Sequence, residues 1–121
     1  MTKRILVIED TEDNRQIVRD LLDSAGYAYI EAVDGLTGVE MAKAEKPDLI
    51  LMDMQLPGID GYEATRRIKA VPELAHIPVI AVTSYALAGD EAKTRAAGCD
   101  DYVAKPFSPR LLMQKIRTHI G

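Results

Sequence analysis

Five short apolar runs, each followed by a stretch with helical spacing, divide the chain from end to end, and this alternation limits the fold more than any other feature. The runs occupy residues 5–8, 29–30, 49–52, 79–82 and 102–104. The first, third and fourth are apolar without interruption, as strands covered on both faces of a parallel sheet are. Between them, Ile17, Val18, Leu21, Leu22 and Ala25 recur at three- and four-residue spacing and predict a helix ended by Gly26. Further helices are expected over 36–44 before Pro47, 62–70 before Pro72 and 86–97 before Gly98. A last one follows Ser108-Pro109, with Leu112, Ile116 and Ile120 along one face. Strand then helix, five times over, predicts an α/β fold. Each parallel strand needs a right-handed crossover, so helices must cover both faces of the sheet. A chain of 121 residues has room for one such unit. That unit is expected to span 1–121 and to leave no output domain.

Composition then narrows the function classes. No apolar run approaches the length of a membrane span, and the one behind Met1-Thr2-Lys3-Arg4 is too short for a signal peptide, so a cytoplasmic protein without membrane insertion is expected. A formal net charge of -4 disfavours direct nucleic-acid binding. The lone Cys99 has no Cys or His at metal-ligand spacing and reads as a small residue at the core edge. Neither GxGxxG nor GxxxxGK follows the first run, which argues against a nucleotide-binding module.

Open parallel sheets bind ligands beyond the carboxyl ends of their strands, so the residue that ends each run is the one to inspect. The first run ends in Glu9-Asp10, the third in Asp53, the fourth in Thr83-Ser84 and the fifth in Lys105-Pro106. Singly, each has a plain structural explanation: a solvated strand end, a residue feeding the Pro57-Gly58 turn, a helix cap, a surface lysine. Together they are different. Two like charges about 5 Å apart repel by roughly 3 kcal/mol at an effective dielectric near 20, so clustered carboxylates either take up protons or bind a cation. Mg2+ suits such a site because it prefers oxygen ligands and keeps several waters.

With these strand ends, the segment Asp53-Met54-Gln55-Leu56-Pro57-Gly58 and the segment Asp100-Asp101-Tyr102-Val103-Ala104-Lys105-Pro106, the chain resembles the receiver domain of two-component response regulators over essentially its whole length. Among receivers it is similar to the stand-alone DivK type of cell-cycle and development regulators. The resemblance implies a flavodoxin/CheY-like sheet in the order 2-1-3-4-5. It further implies that Asp53 is the phosphoacceptor, and that Glu9, Asp10, Asp53 and the main-chain carbonyl of Gln55 hold Mg2+. Thr83 and Lys105 would contact the phosphoryl group. Thr83 and Tyr102 would form the switch, and a cis bond between Lys105 and Pro106 would aim the lysine at the site. Tyr102 has a plainer alternative as a static strand tyrosine. The implied donor is a phosphohistidine on a histidine kinase or histidine phosphotransferase. The implied listener is a downstream protein on the face of the fourth helix, fifth strand and fifth helix.

Ser84 follows Thr83 where receivers more often carry alanine or glycine, and Tyr85 comes next, so the two are expected to gate access to the site, with an exposed helix start as the alternative for Tyr85. His76 and His119 are expected to be surface residues without a donor role. Two other readings compete. A Mg2+-dependent phosphohydrolase of a common kind would carry a second aspartate two residues after its nucleophile, where this chain has Gln55. A scaffold that is never phosphorylated would bind its partner regardless of phosphodonor.

Overall fold

The computed structural model describes residues 2–84, 90–106 and 108–121. Its elements run β1 (Arg4–Ile8), α1 (Glu12–Ala25), β2 (Ala28–Ala32), α2 (Gly35–Glu45), β3 (Leu49–Asp53), α3 (Gly61–Lys69), β4 (Val79–Thr83), α4 (Asp90–Ala97), β5 (Asp101–Ala104) and α5 (Pro109–Ile120). All strand pairings are parallel, and the sheet order is β2-β1-β3-β4-β5. This is the (βα)5 arrangement that the alternation demands, since consecutive parallel strands can be joined only by crossovers. Residues 86–89, the expected first turn of the fourth helix, lie outside the described residues.

The side-chain alternation of the strands divides the core in two. Leu6, Ile8, Ile50, Met52, Val79 and Ala81 face one way and pack with Val39 and Ala42 of α2, Ile68 of α3 and Ala97 of α4. Ile5, Val7, Leu49, Leu51, Ile80 and Val103 face the other way and pack with Val18 and Leu22 of α1 and Leu112 and Ile116 of α5. Every residue of β3 and β4 is buried, which explains their uninterrupted apolar runs. The predicted apolar stripe of α1 holds only in part. Val18 and Leu22 are buried, but Ile17 is 50% exposed. It looks onto an open groove of about 340 Å³ lined also by Asn14, Ser84, Lys105, Pro106 and Pro109.

Local signals end the elements where the sheet needs them to end. Asp34, Asp60 and Ser108 accept hydrogen bonds from the backbone N–H of Thr37, Glu63 and Leu111, the usual way of satisfying the free donors of a helix start. Gly26 closes α1 at φ 82°, a left-handed conformation that costs glycine little. Among the described residues, no helix is long and apolar enough to cross a membrane.

Candidate functional site

Three strand ends assemble the site. β1 runs into Glu9 and Asp10, β3 ends on Asp53, and β5 leads into Lys105, whose bond to Pro106 is cis. Lys105 Nζ donates to Glu9 Oε1 at 3.1 Å and to Asp53 Oδ2 at 3.2 Å, joining residues 96 and 52 positions away in the chain. Glu9 and Asp53 are only 6% and 4% exposed, whereas Asp10 stands at the surface. One oxygen from each of the three carboxylates lies within 4.8 Å of the others.

Backbone donors hold the two buried acids. Gln55 N donates to Asp53 Oδ1 at 2.9 Å, and Thr11 N donates to Glu9 Oε2 at 3.2 Å. From α1, Arg15 Nη1 reaches back to the Glu9 carbonyl at 2.8 Å and fixes the turn that carries the acidic pair. The electrostatics follow from this crowding. Burial alone would lower the Lys105 pKa, but the hydrogen bond to Glu9 and the charges of Asp53 and Glu9 outweigh it, so the ammonium is held more firmly than usual. Partial loss of water around Asp10, and after it the adjoining Glu9 carboxylate, which favours a protonated neighbour, raises Asp10 above the ordinary aspartate value. The donor set is all oxygen and anionic, which is the chemistry a hard divalent ion requires.

Thr83 ends β4 fully buried, and its hydroxyl accepts from Gln55 Nε2 at 3.2 Å. The exposed Ser84 donates its backbone N–H to Gln55 Oε1 at 3.1 Å. Tyr85 lies outside the described residues. Tyr102 is half-buried on the edge strand β5, with Lys115 Nζ 5.6 Å from its ring centroid. Lys115 also donates to Asp101 Oδ1 at 2.7 Å, and His119 Nε2 lies 3.3 Å from Asp101 Oδ2. His119 is therefore a half-buried partner of an aspartate, not the plain surface residue expected, whereas His76 is exposed. Two features escape sequence reading altogether: the reach of the Gln55 side chain to β4, and the Lys115–Asp101 pair beside Tyr102. No motif or spacing signals either one, because each contact joins different elements of the fold.

A doubly wound parallel sheet that gathers buried carboxylates and a lysine at its carboxyl edge defines an α/β protein with an acidic, cation-suited ligand site at its strand ends. The chain belongs to the response regulator receiver domain family, whose model matches residues 5–117. It is 44% identical to the polar-differentiation response regulator DivK of Brucella ovis, a match covering all of this chain and 98% of that protein. Among solved structures, the receiver domain of sensor histidine kinase PA1611 from Pseudomonas aeruginosa superimposes with a TM-score of 0.92 at 39% identity. That match covers 100% of this chain and 99% of the other, and a magnesium ion is coordinated in that protein's active site cleft. The chemotaxis protein CheY4 of Vibrio cholerae shares the fold at 23% identity and a TM-score of 0.93, covering 99% and 100% of the two chains. The chain is thus a phosphoacceptor response regulator, a signalling switch and not a catalytic enzyme, and a histidine kinase is the phosphodonor that a two-component receiver implies.

Proposed function

We propose that Asp53 is the residue that accepts the phosphoryl group, with Lys105 and Thr83 contacting it afterwards. The observation that carries this reading is the burial of Asp53 beside two further carboxylates and one ammonium at the carboxyl edge of the sheet. In the transfer, a carboxylate oxygen of Asp53 forms a bond to phosphorus as the bond from phosphorus to the donor's histidine nitrogen breaks. The imidazole leaves with its electron pair and is protonated from solvent. Phosphoryl transfer depends chiefly on in-line positioning and on charge stabilisation at the equatorial oxygens. Lys105 provides one fixed positive charge for this purpose.

Glu9, Asp10, Asp53 and the main-chain carbonyl of Gln55 are the groups that would hold Mg2+. Bound there, the ion would supply the positive charge that the phosphoryl oxygens need. The chain's own residues do the remainder. Gln55 N keeps Asp53 Oδ1 oriented, and Arg15 keeps the acidic pair in place. A hydrogen bond to a charged group contributes roughly 1.5 to 3 kcal/mol. New contacts from Thr83 and Lys105 together therefore approach the roughly 5.5 kcal/mol that moves a two-state equilibrium from 1:99 to 99:1.

Movement of Thr83 frees space for Tyr102, and the surface formed by α4, β5 and α5 changes with it. Residues 1–121 act as one receiver unit in the cytoplasm. The donor is a histidine kinase or a histidine phosphotransferase, and the signal leaves through a downstream protein on the α4-β5-α5 face. Incubation with acetyl phosphate and Mg2+, followed by intact mass, tests the central assignment. Wild type gains one phosphoryl adduct that requires the metal, and Asp53→Asn gains none. An adduct of equal yield in Asp53→Asn overturns it.

A further inference from the structure

The Gln55 side chain has a place in the site distinct from that of its main-chain carbonyl. Its one carboxamide engages two consecutive residues at the end of β4, donating to Thr83 Oγ1 at 3.2 Å and accepting from Ser84 N at 3.1 Å. The partners lie 28 and 29 positions away in the chain, so the two bonds tie the β3–α3 loop to β4 and are no local turn. The same residue is anchored on the acid itself, through its N–H on Asp53 Oδ1 at 2.9 Å. Thr83 is fully buried and Gln55 half-buried, which keeps water from substituting freely for the bond between them, while the bond to Ser84 lies at the surface.

We propose that the Gln55 carboxamide is a latch that holds the end of β4 in its resting position and must release before Thr83 and Ser84 can turn to a phosphoryl group. The inference rests on the assignment of Asp53 as acceptor and Thr83 as a phosphoryl contact, and it takes the adjoining Ser84 N–H as a second donor to the same group. Hydrogen-bond capacity supports it. A backbone N–H donates once, so a phosphoryl oxygen gains Ser84 N only by displacing Gln55 Oε1. The bond from Nε2 likewise fixes where the Thr83 oxygen sits. Both bonds thus favour the resting arrangement and oppose the phosphorylated one. Gln55 is a positioning residue in this scheme, since it acts through Thr83 and Ser84. Exchanging two neutral hydrogen bonds for bonds to water shifts such an equilibrium roughly tenfold.

Two measurements on wild type, Gln55→Met, Gln55→Ala and Asp53→Asn test the latch. One is the affinity for beryllofluoride, a phosphoryl mimic, in the presence of Mg2+. The other is hydrogen exchange of the Ser84 amide by NMR in the metal-free, unmodified protein. Methionine keeps the length of glutamine without its donor or acceptor, and so separates bonding from bulk. Gln55→Met and Gln55→Ala are both expected to bind the mimic about tenfold more tightly and to exchange the Ser84 amide about tenfold faster. Unchanged or weaker binding in Gln55→Met, tightening confined to Gln55→Ala, or an unaltered Ser84 exchange rate each overturns the latch. Should Gln55→Ala fail to fold, Gln55→Met alone decides. Failure of the underlying reading looks different: wild type then shows no Asp53-dependent binding of the mimic at all, while Ser84 exchange still reports whether the two latch bonds exist.

Discussion

Asp10→Asn removes one charge from the carboxylate triad while almost preserving the size of the side chain. An oxygen of each carboxylate lies within 4.8 Å of the others. At that spacing two unit charges repel by about 3.5 kcal/mol at an effective dielectric near 20, and by about 0.9 kcal/mol in bulk water. Asp10 is exposed while Glu9 and Asp53 are buried, so each of its two repulsions falls toward the lower limit. Attraction to Lys105 offsets part of the sum. The variant is therefore expected to stabilise the metal-free protein by about 1 kcal/mol. Urea denaturation in a chelator reads this as a rise in the transition midpoint at unchanged slope. Mg2+ should reverse the order, because an ion that binds the native state stabilises it in proportion to occupancy and the variant has lost one anionic ligand. The two stability curves cross as the ion is added. Asp10→Asn less stable than wild type in chelator refutes the reasoning, since Asp10 would then have a favourable partner that outweighs its neighbours' repulsion.

Other perturbations probe the scaffold around the site. A Cβ at Gly61 would stand 2.3 Å from the Asp53 carbonyl and 2.7 Å from Met54 Cα, both unyielding backbone. Gly61→Ala should cost about 1 to 3 kcal/mol in urea denaturation and lower the yield of phosphoryl adduct as Asp53, the proposed acceptor, is pushed aside. Asp101 is held below the ordinary aspartate value: burial opposes this, and the hydrogen bonds from Lys115, the Tyr102 N–H and His119 outweigh it. A depressed carboxylate contributes stability that is complete above its unfolded value of about 3.9 and is lost as pH falls through the lower folded value. The stability advantage of wild type over Asp101→Asn should thus be level near neutral pH and shrink below about pH 4. An advantage independent of pH in acid denaturation would count against that pairing. Ile68 is fully buried under the sheet, and Ile68→Ala should cost about 2 to 5 kcal/mol by chemical denaturation, through lost burial and the cavity left behind.

Much of the fold is legible because two periods are written into the chain. The uninterrupted runs at 49–52 and 79–82 became strands buried on both faces, and Val18 with Leu22 became the packed side of α1. Ile17 shows where periodicity stops being informative. It shares the spacing of its neighbours but faces the open groove beside Lys105, since an apolar stripe says which residues share a face and not how far the neighbouring layer extends. The members of the site were legible in the same way, as polar residues stationed where apolar runs end. Their contacts were not. Nothing in the order of residues distinguishes Glu9 and Asp53, which share one ammonium, from Asp10, which faces solvent.

Chemistry at strand ends and the βα rhythm are properties of local order, and the amino-acid sequence by itself determined both: a doubly wound sheet with acids, a hydroxyl and a lysine at its carboxyl edge. Tertiary structure alone decided which atoms meet. Lys105 reaches across 96 residues to Glu9 because β1, β3, β4 and β5 lie side by side, and the Gln55 carboxamide closes on Thr83 and Ser84 because β3 and β4 are neighbours. Side-chain hydrogen bonds depend on ångström-scale separations between segments distant in sequence, and those separations exist only after the sheet has formed.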